Sequence, residues 1–68
     1  MKFLERLNEA LKLSPLSQKE IAEKLGVNKA TITNYKQGKI TPSLDMFYEL
    51  CKILDVSADY LLGLSDTF

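Results

Sequence analysis

The stretch that decides the fold is residues 16–27, which read LSQKEIAEKLGV. An apolar residue and then Ser17 open it, and Ile21 follows four positions after the serine. This spacing is typical of a hydrophobic staple, and Glu20 completes a capping box with Ser17. Gly26 closes the stretch, and its tolerance of positive φ suits a sharp turn between two helices. The sequence therefore predicts a short helix after Ser17 and a turn at Gly26.

Two further places carry the same staple, with Asn28 and Ser57 as caps and with Ile32 and Leu61 four positions later. A helix that starts near residue 43 has two candidate caps, which are Thr41 (with proline as the first helical residue) and Ser43. Apolar residues elsewhere follow helical spacing, and no segment alternates as a strand does. We therefore predict an all-α fold, in one domain over residues 1–68, with five helices at about 2–12, 18–25, 29–36, 43–54 and 58–62.

Two stripes of apolar residues are expected to face the core. The first helix carries Leu4, Leu7 and Leu11, and the helix near residue 43 carries Leu44, Phe47, Cys51 and Leu54. The serine and proline at 14–15 end the first helix, because the residue before proline avoids helical geometry. Gly63 is placed as the left-handed residue after the last helix.

Composition excludes several functions. The 68 residues contain one cysteine and no histidine, so an internal disulfide and the usual zinc sites are excluded, and no cofactor or small-molecule ligand is indicated. Without histidine, and without room for a closed cleft, an enzyme is not expected. No membrane span or signal peptide is evident, which favours the cytoplasm.

The net charge is zero, yet residues 1–40 carry +4 and residues 41–68 carry −4, so a basic face and an acidic face are expected.

The third predicted helix has the composition of a DNA-contacting surface. If Ile32 and Tyr35 face inward, helical geometry turns four small or polar residues outward, and they are Ala30, Thr33, Asn34 and Gln37. Residues 28–39 contain three lysines and no acid. Such a helix can enter a major groove without repelling phosphates. The alternative is an ordinary solvated helix face.

The helix-turn-helix region resembles the lambda-repressor/Cro-like family, also called XRE-type. The resemblance lies in the quoted stretch and in five spaced residues, Gln18, Ala22, Gly26, Ile32 and Tyr35. The loop after the third helix (GK followed by PSL, residues 38–44) and the closing run LDVSADYLL (residues 54–62) are similar to those of the family. The resemblance implies a five-helix DNA-binding domain that regulates transcription, usually as a dimer on a two-fold symmetric operator. We expect a homodimer that acts as a repressor.

The resemblance also implies which residues contact DNA. Base contacts in the family come from the first, second and sixth residues of the third helix, here Lys29, Ala30 and Asn34, and the methyl group of Thr33 can touch a thymine methyl. Backbone contacts are expected from Ser17 and Gln18 at the start of the second helix and from Asn28, Lys36, Gln37 and Lys39 around the third. Many family members also carry an arginine late in the first helix. This chain has none, and Lys12 is the candidate substitute.

The C-terminal region is more apolar than a free end needs, with Tyr60, Leu62, Leu64 and Phe68. These residues either cap the core or form a two-fold interface, as the family resemblance implies.

The competing function is a helical protein-interaction module, such as an antitoxin whose main partner is another protein. In that case the acidic half of the chain would be its docking face.

Overall fold

The computed structural model describes residues 1–67, which form five α-helices and no strand. They are α1 (Phe3–Leu13), α2 (Gln18–Leu25), α3 (Lys29–Gln37), α4 (Leu44–Leu54) and α5 (Ala58–Leu62). The predicted all-α fold is confirmed. Helices α2 and α5 have the predicted bounds. Each of the other three differs by one residue at one or both ends.

Side-chain caps explain where four of the helices begin. The side-chain oxygens of Ser17, Asn28 and Ser57 each accept the backbone N–H three residues further on, as their staples predict. At α2 the capping box is complete, because Glu20 accepts the backbone N–H of Ser17 at 3.0 Å. Ser43 caps α4 by accepting the N–H of Met46, which decides between the two candidate caps.

The turn between α2 and α3 depends on Gly26, which adopts φ +74°. The N–H of Val27 donates to the carbonyl of Ala22 at 3.0 Å, and the N–H of Gly26 donates to Glu23. These two bonds form the Schellman arrangement that ends many helices. Ala22 is buried in the core next to this turn, where its small side chain allows α2 and α3 to pack closely.

The core draws its side chains from all five helices. Its fully buried large members are Leu7 of α1, Ile21 of α2, Ile32 of α3, Leu50 of α4 and Leu61 of α5. Three of these, Ile21, Ile32 and Leu61, are the staple residues named from sequence. The rings of Phe3 and Phe47 meet edge to face at 5.8 Å and join α1 to α4.

Two expected core positions are wrong. Leu44 is 81% exposed, because it is the first residue of α4 and the fully buried residues of this helix begin only at Leu50. Leu4 is also exposed, although Leu7 of the same stripe is fully buried and Leu11 is half-buried. Leu54 of the predicted α4 stripe is buried, and Phe47 and Cys51 pack half-buried against the core, while Leu50, which the stripe did not include, is fully buried.

Arg6 is a buried charge that the sequence patterns did not indicate. Its guanidinium donates to the carbonyls of Tyr60 and Ser65 and to the carboxylate of Asp66, at 3.3, 3.0 and 2.8 Å. It also lies 4.4 Å from the centre of the Tyr60 ring. A buried charge is tolerated only when it is paired and hydrogen-bonded. Arg6 therefore ties α1 to α5 and to the segment that follows it.

None of the helices in residues 1–67 has the length and apolar character that a membrane crossing would need.

Candidate nucleic-acid interface

Helix α3 presents the predicted face to solvent. Ile32 and Tyr35 are buried, at 1% and 6% exposure, so the opposite side of the helix points outward. Ala30 and Gln37 are exposed, and Asn34 lies between them on the same face and is half-buried. The structure thus brings these three residues into one stripe at i, i+4 and i+7 spacing. The stripe carries no charge and no large apolar side chain.

The side-chain amide of Asn34 makes no hydrogen bond within residues 1–67. Its donor and acceptor groups are therefore available together for one ligand, which is what a bidentate contact to an adenine edge requires. Thr33 differs, because its hydroxyl accepts from Gln18 and donates to the carbonyl of Lys29. Only the methyl group of Thr33 is left for an outside contact.

Gln18 links the start of α2 to α3. Its side-chain nitrogen donates to the Thr33 hydroxyl at 2.9 Å and to the Lys29 carbonyl at 3.4 Å. Its side-chain oxygen accepts from the Lys36 ammonium at 3.5 Å. The predicted backbone-contacting residues Gln18 and Lys36 are therefore neighbours in space, and the amide of Gln18 is already oriented by α3.

A cleft of about 420 Å³ lies between α1, α2 and α3. Its polar lining consists of Asn8, Lys12, Gln18 and Lys36, over a floor of Leu11 and Ile21. The lining includes two ammonium groups and no carboxylate, so the cleft favours an anion. Lys12, the candidate substitute for the family's arginine, lies in the same cleft as Gln18.

The other predicted contacts surround the outward face of α3. Lys29 and Lys39 are exposed, one at each end of the helix, and Lys36 is half-buried. No ion pair joins these lysines to an acid within the described residues. Ser17 and Asn28 are exposed caps whose side-chain oxygens accept backbone N–H groups. The amide nitrogen of Asn28 makes no bond within residues 1–67 and can donate to a phosphate.

The predicted C-terminal interface is divided by the structure. Tyr60 is 4% exposed, and its hydroxyl donates to the carboxylate of Glu9 at 3.1 Å. Tyr60 is therefore a core residue, and the hypothesis that it meets a second copy is wrong. Burial raises the pKa of its phenol, and the adjacent carboxylate of Glu9 raises this pKa further. Leu64 is 75% exposed, Leu62 is half-buried, and Phe68 lies outside the described residues.

Leu62 contributes to an apolar groove of about 250 Å³. The groove is also lined by Met1, Phe3, Thr41, Pro42, Leu44 and Phe47. The exposure of Leu44, which contradicts its predicted core role, is thus part of a larger apolar surface at the start of α4.

Cys51 shows no sign of reactivity. Burial raises the pKa of its thiol, so the thiolate that reactions require is disfavoured. Half-buried against the core, Cys51 packs as a small apolar residue, as the sequence predicts.

Fold and interface together define a class of protein. Two short helices joined by a glycine turn, with the second one supported by buried residues and exposed on its polar face, form a helix-turn-helix of the repressor type.

Comparison with known proteins assigns the family. The helix-turn-helix family model matches residues 7–61. The chain belongs to this family, in its XRE-type branch.

Relatives and a solved structure agree with the family model. The uncharacterized HTH-type transcriptional regulator YobD of Bacillus subtilis is 36% identical over 64 residues, which are 94% of this chain and 57% of that protein. The HTH-type transcriptional regulator ImmR of the same organism is 38% identical over 93% of this chain and 50% of its own. The chain thus spans about half the length of these relatives. The solution structure of the P22 C2 repressor DNA-binding domain has a TM-score of 0.81 and 28% identity, and covers 97% of this chain and 90% of that one.

The sequence patterns missed one residue of the cleft and indicated another only through the family resemblance. Asn8 lines the basic cleft and was not named as functional. Lys12 was named only through the family resemblance. The i, i+4 spacing of Asn8 and Lys12 is the one sequence signal that places both on the same side of α1. It does not show that this side faces a cleft, because the rest of the cleft is formed by α2 and α3.

Proposed function

We propose that this chain binds double-stranded DNA sequence-specifically, with α3 in the major groove, and acts as a transcriptional repressor. One observation carries the proposal. The exposed stripe of Ala30, Asn34 and Gln37 is uncharged and backed by buried Ile32 and Tyr35, and lysines flank it without neutralising acids. A major groove is about 12 Å wide and admits such a helix. The likeness to the P22 C2 repressor domain supports the repressor role.

Base recognition is assigned to four residues. Lys29, at the N-terminal end of α3, is assigned to a guanine edge, with a neighbouring phosphate as the alternative. Asn34 has its whole amide free for the N6 and N7 positions of adenine. Ala30 and the Thr33 methyl group are suited to thymine methyls, since the Thr33 hydroxyl is held inside the protein.

Contacts to the DNA backbone are assigned to the residues around this stripe. The cleft that contains Lys12, Gln18 and Lys36 forms a seat for one phosphate, and the positive end of α2 at Ser17 strengthens it. Asn28, Gln37 and Lys39 are assigned to neighbouring phosphates. Such contacts fix the register of the protein on the duplex and carry no sequence information.

We further propose that the chain acts as a homodimer on a two-fold symmetric operator. The exposed Leu64 and the half-buried Leu62 are the residues assigned to the contact between copies, next to the apolar groove at the start of α4. Two copies related by a two-fold axis would place their α3 helices about 34 Å apart, which is one turn of duplex. We also propose that the protein acts in the cytoplasm and binds DNA without catalysing a reaction.

Selection of bound duplexes from a random pool tests the proposal, since it reports binding, specificity and symmetry together. The wild-type chain should enrich a two-fold symmetric sequence. Ala30→Glu places a carboxylate on the exposed face of α3 and should abolish enrichment. Ala58→Glu makes the same change on the exposed start of α5 and should leave enrichment intact.

Absence of enrichment by the wild-type chain, or equal enrichment by the Ala30→Glu variant, would overturn the proposal. Weak binding to all duplexes, together with co-purification of one protein at fixed stoichiometry, would instead support the protein-interaction module.

A further inference from the structure

The C-terminal end of α3 depends on a hydrogen bond from another helix. Its closing turn satisfies two of the carbonyls that every helix leaves unpaired. Gly38 and Lys39 donate their N–H groups to the carbonyls of Tyr35 and Asn34, at 3.2 and 3.0 Å. The next carbonyl, that of Lys36, accepts no backbone N–H of this turn within residues 1–67. It accepts instead from the side-chain nitrogen of Asn8 in α1, at 3.0 Å.

Asn8 is itself held in place for this contact. Its second amide hydrogen is directed to the carbonyl of Leu4, one turn earlier on α1, at 2.9 Å. Both donors of the side chain are therefore used, and its orientation is fixed. Leu4 lies against the same turn of α3, since a Cβ atom built on Gly38 would be 3.2 Å from its Cδ2. Leu4 and Asn8 of α1 thus both contact the C-terminal end of α3.

Helix α3 is held by side-chain amides at both ends. Gln18 contacts Lys29 and Thr33 in its first half, and Asn8 contacts Lys36 in its last turn. Buried Ile32 and Tyr35 fix which side faces inward, while the two amides restrain rotation and sliding along the axis. The helix that supplies Asn8 is fixed in turn by Arg6, which binds the segment after α5.

We propose that Asn8 is a positioning residue for base recognition. It holds α3 at the height and rotation at which Asn34 and Ala30 meet base edges, and it does so without touching DNA. The inference rests on the function proposed above. A base contact needs heavy-atom distances of about 3 Å, so a small rotation of α3 weakens directional contacts more than it weakens contacts to flexible lysines.

The test measures the ratio of affinities for the selected operator and for a scrambled duplex. Asn8→Ala and Asn8→Leu both remove the donor without adding a charge to the cleft, and Asn8→Leu keeps the approximate size of the side chain. Each should lower the ratio about three- to tenfold, which corresponds to the loss of one hydrogen bond. The dependence of binding on salt should stay as in the wild type, because no phosphate contact is lost. Leu13→Ala, an uncharged change at the exposed end of α1, is the control and should leave the ratio unchanged.

Each affinity is measured at a temperature where thermal unfolding shows the variant to be folded. An unchanged ratio in a variant of lowered melting temperature would overturn the inference, because Asn8 would then be purely structural. A normal ratio for Asn8→Leu would also overturn it, since the donor would be irrelevant. If the wild-type chain itself fails to discriminate between the duplexes, the proposed function fails instead, so the two failures are distinguishable.

Discussion

At the scale of single residues, Asn34 is the side chain most directly committed to an outside partner. It is half-buried on the exposed face of α3, and its amide has no partner within residues 1–67. We expect Asn34→Ala to cost about 1–3 kcal/mol at one base position and to relax the preference there. Binding to operators mutated one position at a time measures this. Equal loss on all of them would show that Asn34 does not discriminate between bases.

Asp55 is expected to lower the free energy of unfolding, whereas Asn34 concerns DNA binding. It adopts φ +55° as the C-cap of α4, where a non-glycine residue is strained and a negative charge opposes the helix dipole. Asp55→Asn removes the charge and suits the left-handed conformation better, so we expect a gain of about 0.5–1 kcal/mol in unfolding free energy. Denaturant unfolding measures it.

The matched control is Asp45→Asn at the other end of α4. There the carboxylate lies in the first turn and favours the helix, so its removal should give no gain. A gain of the same size in both variants would indicate a general charge effect and contradict the strain at Asp55.

At the scale of elements, the α2–α3 turn depends on the backbone conformation of Gly26. Apart from Gly26 and its two chain neighbours, no atom of residues 1–67 lies within 4 Å of the position that a Cβ would take, so space does not require glycine there, but φ +74° does. Gly26→Ala should therefore destabilise the domain by about 1–2 kcal/mol. Gly26→Asn should cost less, because asparagine tolerates this conformation. Equal stability of the alanine variant and the wild type, in thermal unfolding, would contradict the turn assignment.

The capping box of α2 gives a pH dependence. Hydrogen bonds from the backbone N–H and the hydroxyl of Ser17 lower the pKa of Glu20 from its ordinary value of 4.5. A lowered pKa in the folded state contributes stability that is present above pH 4.5 and is lost as pH falls through the folded value. Glu20→Gln keeps an acceptor but cannot titrate. Its melting temperature should therefore fall less on acidification than that of the wild type, and parallel curves would contradict this.

Sequence predicted the elements well because their causes are local. Caps, staples and the glycine turn act within four or five residues, and the structure has them where the patterns placed them. The residues that were missed depend on partners far along the chain. Arg6 bonds residues 54 to 60 positions away, and Asn8 bonds a carbonyl 28 positions away. The core position predicted for Leu44 is wrong because an apolar stripe does not show where along the helix the core ends.

At the scale of the whole molecule, all residues assigned to DNA lie in the basic half of the chain, residues 1–40. Lys39 is exposed beyond the end of α3 and is assigned to a phosphate. Lys39→Ala should weaken binding to all sequences alike and lower the slope of log affinity against log salt by about one. Lys52→Ala removes an exposed lysine from α4 and is the control. An unchanged slope for the Lys39 variant would remove this residue from the backbone contacts.

Association of two copies is also a property of the whole molecule. Leu64→Glu places a charge on the most exposed part of the proposed contact, so it should shift the sedimentation profile toward monomer and weaken binding to the full operator. Leu13→Glu, at the exposed end of α1, should do neither. Loss of operator binding without any change in sedimentation would contradict an interface at Leu64.

The central claim is that the outward face of α3 meets DNA, and amide chemical shifts of the labelled protein titrated with its selected duplex test it most directly. We predict that the largest changes fall on residues 29–37 and on the start of α2 around Gln18, while α5 stays nearly unchanged. Changes concentrated on α4 and α5, with Ala30, Thr33 and Asn34 unaffected, would contradict the account.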